Sequence, residues 1–284
     1  MEQVSSLIHG DYAKNAHLSG KGITIAYLDS GISMHHDFLK PSSRLLFFKD
    51  FVNQRTSPYD DNGHGTHVTG IAASSQIGIA PASNILSLKV LNRQGNGKAQ
   101  HMIRCFQWLL KYKDHYQIRI VNISIGMEAD TIKNASGRII DWVERLWDAG
   151  LIVCIAGGNF GPAKSSITIP GNSKKVITVG ASDDMTANDY SGRGPTNSCI
   201  VKPDITAPGT DILSCYGSSH YIKRSGTSMA TPIVSGAIAL CLEKNPAMTN
   251  KMIKLKLRSS CDDLGYPRNQ QGWGRLNLEK FLCD

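Results

Sequence analysis

Five short, nearly continuous apolar runs alternate along the chain with amphipathic stretches, and this alternation constrains the fold more than any other feature. The runs cover residues 23–28, 85–90, 118–125, 151–156 and 176–179. Apolar runs without polar alternation are typical of strands that are buried on both faces. Strands of this kind that alternate with helices predict an α/β fold, with a mainly parallel central sheet and helices on both faces.

Three longer stretches have the periodicity of helices. In 99–113 and in 137–149 the apolar residues fall on one helical face, and Gly150 follows the second stretch as a stop signal. A third helix is expected to begin near Ser228 and to continue through the apolar residues that follow. Pro232 fits this helix if it lies in the first turn, where proline is tolerated.

The length and composition fit one domain. The chain has 284 residues, of which 41% are hydrophobic and 19% are charged, and single α/β domains of this size are common. No linker or repeat divides it, so we expect residues 1–284 to form a single domain. No apolar run reaches the roughly 18 residues that a membrane span needs. The first ten residues lack a secretory signal, which predicts a cytoplasmic protein, or a secreted one if a leader has been removed.

The charge of +8 raises the question of an anionic partner. Part of the excess lies in 251–258, where four basic residues are interleaved with apolar ones, as in a helix with a charged outer face. No aromatic–basic pattern of a single-strand binding groove occurs. We therefore expect a solvated basic surface, with no nucleic acid and no membrane as partner.

The seven cysteines are an odd number and include no CxxC pair. Disulfide frameworks usually have even counts, so this pattern favours free thiols in a reducing compartment. Cys154 lies inside an apolar run, where a thiol usually acts as a small hydrophobic side chain.

Three segments carry the residue types of nucleophilic catalysis. Asp29 ends the first apolar run, His64 lies in Asn-Gly-His-Gly-Thr-His, and Ser228 lies in Gly-Thr-Ser-Met-Ala. A serine hydroxyl becomes a nucleophile when a base takes its proton, and histidine titrates in the range for that work. A buried carboxylate orients the imidazole and stabilises its charged form. Because parallel sheets place their sites at the carboxyl ends of strands, we expect the three residues to meet there as a catalytic triad.

A fourth segment, Ala-Gly-Gly-Asn-Phe-Gly at 156–161, follows another apolar run. Its amide, on Asn159, is expected to donate a hydrogen bond to an oxyanion. The backbone N–H of Ser228, at a helix N-terminus, is expected to be the second donor.

Together these four segments resemble the subtilisin-like serine peptidase family. The order Asp, His, Ser matches that family and differs from the chymotrypsin and α/β-hydrolase orders. The resemblance covers about residues 22–278 and implies a single-domain subtilisin-like fold. It also implies a serine endopeptidase that works through an acyl-enzyme. Two alternatives stay open, a peptide-processing acyl transferase (a ligase or cyclase) and a catalytically silent binding module.

The resemblance further implies a mode of binding for a peptide or protein substrate. Members of the family bind the peptide as an added β-strand between two enzyme segments. The residues that match these two edges are Ser124, Ile125 and Gly126 beside the first specificity pocket, and Gly95, Asn96 and Gly97 opposite. Main-chain hydrogen bonds would then provide affinity, and pockets would provide selectivity.

The pockets themselves are less well defined by the sequence. Thr168 is expected near the floor of the first pocket, and no acidic residue is evident there. This favours an apolar or medium-sized residue before the cleaved bond. Ala99 stands where many relatives have a bulkier residue, which predicts an open second pocket.

No cofactor is expected from the resemblance. The run 73–81 is shorter than in many bacterial relatives, which carry there an Asn-rich loop around a calcium ion. We therefore expect no strong calcium site, and a weak cation site stays open. Secreted relatives also have a folding-assisting propeptide, which is not visible in this chain and stays open as a partner.

Other polar residues have simpler readings, and no metal site is predicted. His67 lies one turn after His64, but the segment lacks the glutamate of a zinc-binding HExxH motif, which favours a structural role. The run 35–37, His-His-Asp, is expected in a surface loop rather than at a metal. Asp60 and Asp61 either tune His64 or a subsite, or are solvated loop acids.

Overall fold

The structure is a computed structural model that describes residues 1–126, 136–182 and 190–283. The strands of its main sheet are β1 (Thr24–Asp29), β2 (Leu45–Asp50), β3 (Asn84–Lys89), β4 (Ile118–Ile123), β5 (Ile152–Ala156), β6 (Ile177–Ala181) and β7 (Ile205–Ala207). They follow the order β2-β3-β1-β4-β5-β6-β7, and every neighbouring pair is parallel. A separate antiparallel hairpin consists of β8 (Ile212–Tyr216) and β9 (His220–Arg224).

Helices fill the connections between the strands. They are α1 (Glu2–Leu7), α2 (Asp11–Asn15), α3 (His36–Leu39), α4 (His64–Ala73), α5 (Ala99–Tyr112), α6 (Ser136–Asp148), α7 (Thr227–Lys244), α8 (Asn250–Ser260), α9 (Arg268–Gln271) and α10 (Leu278–Leu282). None of the described helices is long and apolar enough to cross a membrane. All seven cysteines are unpaired.

The α/β fold with a parallel sheet is confirmed, and the five predicted strands are the central ones. Strands β1, β5 and β6 are buried along their whole length, which requires cover on both faces. The outer strands were not predicted from the sequence. In β2 the half-exposed residues interrupt the apolar signal, and β7 is only three residues long.

Helix α7 runs through the core. Every residue from Thr227 to Leu242 is buried except Ser228. A helix that is apolar all round has no solvent face, so its partly exposed serine at the N-terminal end marks a place where the core opens. Helix α8 matches the predicted basic helix, with Ile253 and Leu257 buried, whereas Leu255 is 64% exposed.

Pro232 lies in the second turn of α7, and its predicted place in the first turn is wrong. In a helix interior a proline leaves the carbonyl four residues before it without its N–H donor. Here that carbonyl belongs to Ser228, and the hydroxyl of Ser124 donates to it at 3.0 Å. A side chain from the turn after β4 therefore replaces the missing helical hydrogen bond.

Candidate active site

A cleft of about 290 Å³ lies at the carboxyl end of the sheet and contains most of the predicted site residues. The predicted residues that line it are His64, Gly95, Ser124, Ile125, Gly126, Asn159, Thr168 and Ser228. Asp29 lies at the end of β1 behind His64 and is only 1% exposed. Asn96 and Gly97 are not among the lining residues.

Asp29 and His64 form the hydrogen bond that the sequence analysis predicts. Oδ1 of Asp29 lies 2.7 Å from Nδ1 of His64, and the backbone N–H of Ser30 donates to the same oxygen at 2.7 Å. Because a carboxylate can only accept, Nδ1 carries the proton and Nε2 is left as the basic nitrogen. The imidazole is 21% exposed, so this nitrogen can meet a substrate in the cleft.

The electrostatic surroundings of His64 act in opposite directions. Burial lowers the pKa of His64, but the charge of Asp29 and its hydrogen bond outweigh burial, so the pKa lies above its usual value of 6.5. A neighbouring carboxylate favours the charged imidazolium in this way. The imidazolium that forms during proton transfer is therefore stabilised.

Asp60 holds the turn that presents His64. Its carboxylate accepts hydrogen bonds from the backbone of Gly63 at 2.8 Å and of Thr66 at 2.8 Å, and from the Ser30 hydroxyl at 2.8 Å. Burial raises the pKa of Asp60, but these hydrogen bonds lower it by more, so the pKa lies below its usual value of 3.8. Asp60 therefore caps the start of α4 as an anion, so it is not simply a solvated loop acid.

Ser228 faces the same cleft, but its hydroxyl is not bonded to His64. Its Oγ donates to the carbonyl of Ser124 at 2.9 Å, while Ser124 Oγ donates back to the Ser228 carbonyl. The expected bond from Ser228 to the imidazole is not formed in this arrangement. The hydroxyl has to turn away from Ser124 before His64 can take its proton.

Asn159 is held in one orientation. Its Oδ1 accepts from the backbone N–H of Thr227 at 3.0 Å and from the Thr227 hydroxyl at 3.0 Å. A backbone N–H can only donate, so the amide cannot flip, and Nδ2 is left as a donor. Gly226 has φ +145°, and a Cβ there would lie 3.0 Å from this Nδ2. The glycine therefore leaves room for the amide.

The second expected donor is the backbone N–H of Ser228. The first N–H groups of a helix have no intrahelical acceptor, and within the described ranges no acceptor reaches this one. Asn159 and Ser228 both line the cleft, so the two donor groups belong to residues of the same site. Two such donors suit the negative charge of a tetrahedral intermediate.

Thr168 forms the wall between two glycines. A Cβ on Gly126 would lie 2.1 Å from Thr168 Oγ1, and one on Gly158 would lie 2.4 Å from its Cγ2. Thr168 itself is buried. No carboxylate occurs among the described residues that line the cleft. The nine residues after Gly126 lie outside the described residues.

The opposite edge is a compact turn. Gly97 pairs with Leu91 in an antiparallel bridge, and the carbonyl of Asn96 accepts from the N–H of Asn92 at 2.9 Å. A separate cavity of about 480 Å³ opens beside Ala99 and is also lined by Arg104 and Arg138. Its use as the second specificity pocket stays a prediction.

His67 is buried, which agrees with a structural role. Its Nε2 lies 3.0 Å from the carbonyl of Ile222 in β9. Burial lowers its pKa to about 4. The ring is therefore neutral near pH 7, one helical turn from a histidine whose pKa is raised.

The run 35–37 is not a surface loop, and that prediction is wrong. His35 and Asp37 are fully buried, and the segment leads into α3. Asp37 accepts hydrogen bonds from the Tyr221 hydroxyl at 2.9 Å and from the Ser74 hydroxyl. Among the described residues this run forms the one cluster with metal-ligand types. The rings of His35 and His36 stack at 4.3 Å and 28°.

Comparison with known proteins identifies the family of the chain. Residues 20–274 match the model of the subtilase family. The chain is 41% identical over 299 residues to serine protease AprX of Bacillus subtilis strain 168, covering 93% of this chain and 67% of AprX. It is 33% identical to subtilisin BL of Lederbergia lenta, covering 96% of both chains.

Solved structures show the same relationship. A cold-adapted subtilisin-like serine proteinase superposes with a TM-score of 0.76 at 28% identity, covering 92% of this chain and 90% of the other. The CspB protease of Clostridium perfringens superposes with a TM-score of 0.84 at 19% identity, covering 95% and 96%, and this likeness concerns the fold alone. The chain belongs to the subtilase family and is a serine endopeptidase.

Proposed function

We propose that Ser228, His64 and Asp29 are the catalytic triad of this endopeptidase and that Asn159 stabilises the oxyanion. The observation that carries the proposal is the 2.7 Å bond between buried Asp29 and His64, at a cleft that Ser228 and Asn159 also line. Residues far apart in the chain thus supply a base, a group that orients it, a nucleophile and a donor.

The first half of the reaction forms the acyl-enzyme. The Ser228 hydroxyl turns from the Ser124 carbonyl to Nε2 of His64, which takes its proton as Oγ attacks the substrate carbonyl. Asp29 stabilises the resulting imidazolium. Asn159 Nδ2 and the Ser228 N–H donate to the oxyanion. His64 then gives the proton to the leaving amine, and the peptide C–N bond breaks.

The second half repeats these steps with water. His64 takes a proton from water, the hydroxide attacks the ester carbonyl, and the proton returns to Ser228 Oγ as the acid leaves. An amine in place of water would give peptide ligation, and this acyl transferase is the second candidate. No observation in the structure favours it, and no triad residue is missing, so a silent binding module is also disfavoured.

The substrate is proposed to bind as an extended strand between 95–97 and 124–126. Support comes from the glycines at both edges, which leave the backbone open to a peptide, and from the family resemblance. The pocket between Gly126, Gly158 and Thr168 has no described carboxylate to pair with a basic side chain. We therefore propose an apolar or medium-sized residue before the cleaved bond.

The remaining predictions are proposals about the whole chain. Ile8 and Phe281 lie outside the matched range but are buried in the same core, which supports one domain over 1–284.

Free thiols suit a cytoplasmic location. We propose that no cofactor and no strong calcium site are needed, because the run 73–81 is shorter than the calcium-binding loop of many bacterial relatives. A propeptide acting from outside this chain stays open.

A fluorophosphonate probe and a peptide library test the proposed function. Ser228 Oγ should attack phosphorus, with loss of fluoride and transfer of the hydroxyl proton to His64. Peptide mass mapping should place the adduct on Ser228, and the Ser228→Ala variant should neither label nor cleave. Hydrolysed products of the library support the endopeptidase, whereas joined peptides support the transferase. An adduct on another residue of folded protein would refute the triad.

A further inference from the structure

Lys89 is the last residue of β3, and its side chain is fully buried. Burying an ammonium group is unfavourable unless hydrogen bonds and an opposite charge compensate for its lost hydration. Lys89 has both. Its Nζ donates to the carbonyl of Ser30 at 2.5 Å, to the carbonyl of Leu91 at 2.8 Å and to the carboxylate of Asp61 at 2.7 Å.

Each of these partners belongs to a different part of the active site. Ser30 directly follows Asp29 and donates its N–H to the Asp29 carboxylate. Asp61 lies in the segment that leads to His64. Leu91 lines the substrate cleft. One ammonium group therefore fixes the backbone after the acid, the approach to the histidine and one wall of the cleft.

The sheet strengthens this arrangement. Lys89 pairs in register with Asp29 in the parallel β1–β3 ladder. The carbonyl of Asp29 accepts from the N–H of Val90 at 2.9 Å and from that of Leu91 at 3.2 Å. The next carbonyl, that of Ser30, is the one that Lys89 holds. Consecutive carbonyls at the end of β1 are thus bound to the end of β3.

We propose that Lys89 is a positioning residue for peptide hydrolysis, which holds Asp29 in line with His64 through the Ser30 carbonyl and Asp61. The inference rests on the proposed triad. Lys89 does not line the cleft or touch the substrate, so its effect reaches the reaction through the direction of the Asp29–His64 hydrogen bond. Small misplacements of a catalytic group lower the rate strongly.

Lys202 offers a matched control. Its side chain is also buried, and its Nζ donates to Asp204 at 2.5 Å, to the Thr178 hydroxyl at 2.9 Å and to the Val176 carbonyl at 3.2 Å. These partners lie around β6 and β7, and none lines the cleft. Replacing either lysine removes a buried charge from a comparable set of partners, but only Lys89 connects to the triad.

The experiment compares Lys89→Met with Lys202→Met. For each folded protein we would measure the melting temperature, the rate of fluorophosphonate labelling per folded molecule, and kcat and KM on a peptide. Both variants should melt at lower temperature. Lys89→Met should also lose about tenfold to a hundredfold in labelling rate and in kcat, with KM little changed. Lys202→Met should stay within about twofold of the unaltered protein in both rates.

A milder variant keeps the test decisive if Lys89→Met does not fold. Asp61 is 32% exposed, so Asp61→Asn should fold, and it should lower the labelling rate by about threefold by weakening one of the three links. An unchanged labelling rate in whichever variant folds would overturn the proposal, as would an equal loss in Lys202→Met. Failure of the unaltered protein to label at Ser228 would instead refute the triad itself.

Discussion

Among the described residues, two groups of aspartate, histidine and serine can be compared, and one of them faces the cleft. At the carboxyl end of β1, Asp29 binds His64, which leaves Nε2 free toward the cleft. Near α3, Asp37 lies 2.9 Å from His36 Nε2 and also accepts from the Ser74 hydroxyl. Ser74 thus donates to the carboxylate itself, so this serine is hydrogen-bonded to the acid and not to an imidazole.

Accessibility separates the two groups further. Ser74 is fully buried, and its Oγ accepts from the backbone N–H of Ile77 at 3.0 Å, so it caps a turn. Ser228 is partly exposed at the start of α7. The comparison shows that the presence of the three residue types does not by itself make a catalytic site. The acid, the base and the nucleophile must follow one another in series, with the last member open to substrate.

The largest expected effect separates the two serines. Ser228→Ala should lower kcat by roughly 10⁶-fold, a magnitude known from subtilisin itself, because a triad acts as a unit. Ser74→Ala should lower stability by about 1–3 kcal/mol through the lost buried hydrogen bonds. Its kcat per titrated active site should stay unchanged. A strong loss of kcat in folded Ser74→Ala would mean that the two groups are not independent.

Asn159 should have a smaller effect. Asn159→Ala is expected to lower kcat by about 10²–10³-fold with little change in KM, the range known for the oxyanion asparagine of subtilisin. Asn159→Asp keeps the acceptor for Thr227 but puts a carboxylate oxygen, with its negative charge, in place of the Nδ2 donor. It should therefore lose at least as much kcat as Asn159→Ala. Full activity of Asn159→Asp would exclude this donor.

The two aspartate–histidine pairs should also differ in their effect on the pH profile. Hydrolysis needs neutral His64, and Asp29 raises the pKa of His64 above 6.5 despite burial. kcat/KM should therefore rise about tenfold per pH unit up to that pKa and then level off. His36→Gln should leave this profile in place. An apparent pKa below 6.5 in this profile, or one that shifts in His36→Gln, would contradict the assignment.

The same raised pKa of His64 has an opposite effect on stability. Protonation is favoured in the folded state, so this contribution is complete below pH 6.5 and is lost as pH rises through the higher folded pKa. Activity and the His64 contribution to the free energy of unfolding thus change in opposite directions across this range. Unfolding measured by urea at several pH values would show the second trend.

The placement of residues at the cleft was predictable where short segments carry their own local signal. Asp29, His64, Asn159 and Ser228 lie in runs whose flanking glycines and apolar strands mark where a site lies. The central strands were predictable for a similar reason, because they are apolar throughout. Edge strand β2 is half-exposed, so its apolar signal is interrupted.

The residues that were missed depend on partners that are distant in sequence. Lys89 looks like one polar residue in an apolar strand, and its role becomes visible only when Ser30 and Asp61 are placed beside it. His35 and Asp37 looked solvent-exposed because their charges gave no hint of the hairpin that covers them. No local pattern encodes such contacts.

Pro232 has a consequence that reaches beyond its own helix. Because proline has no N–H, the Ser228 carbonyl lacks its helical donor and accepts a hydrogen bond from the Ser124 hydroxyl instead. Ser228 Oγ in turn donates to the Ser124 carbonyl, so two hydrogen bonds join the two serines. A change in the position of residue 124 would therefore act on the backbone and on the hydroxyl of Ser228 at the same time.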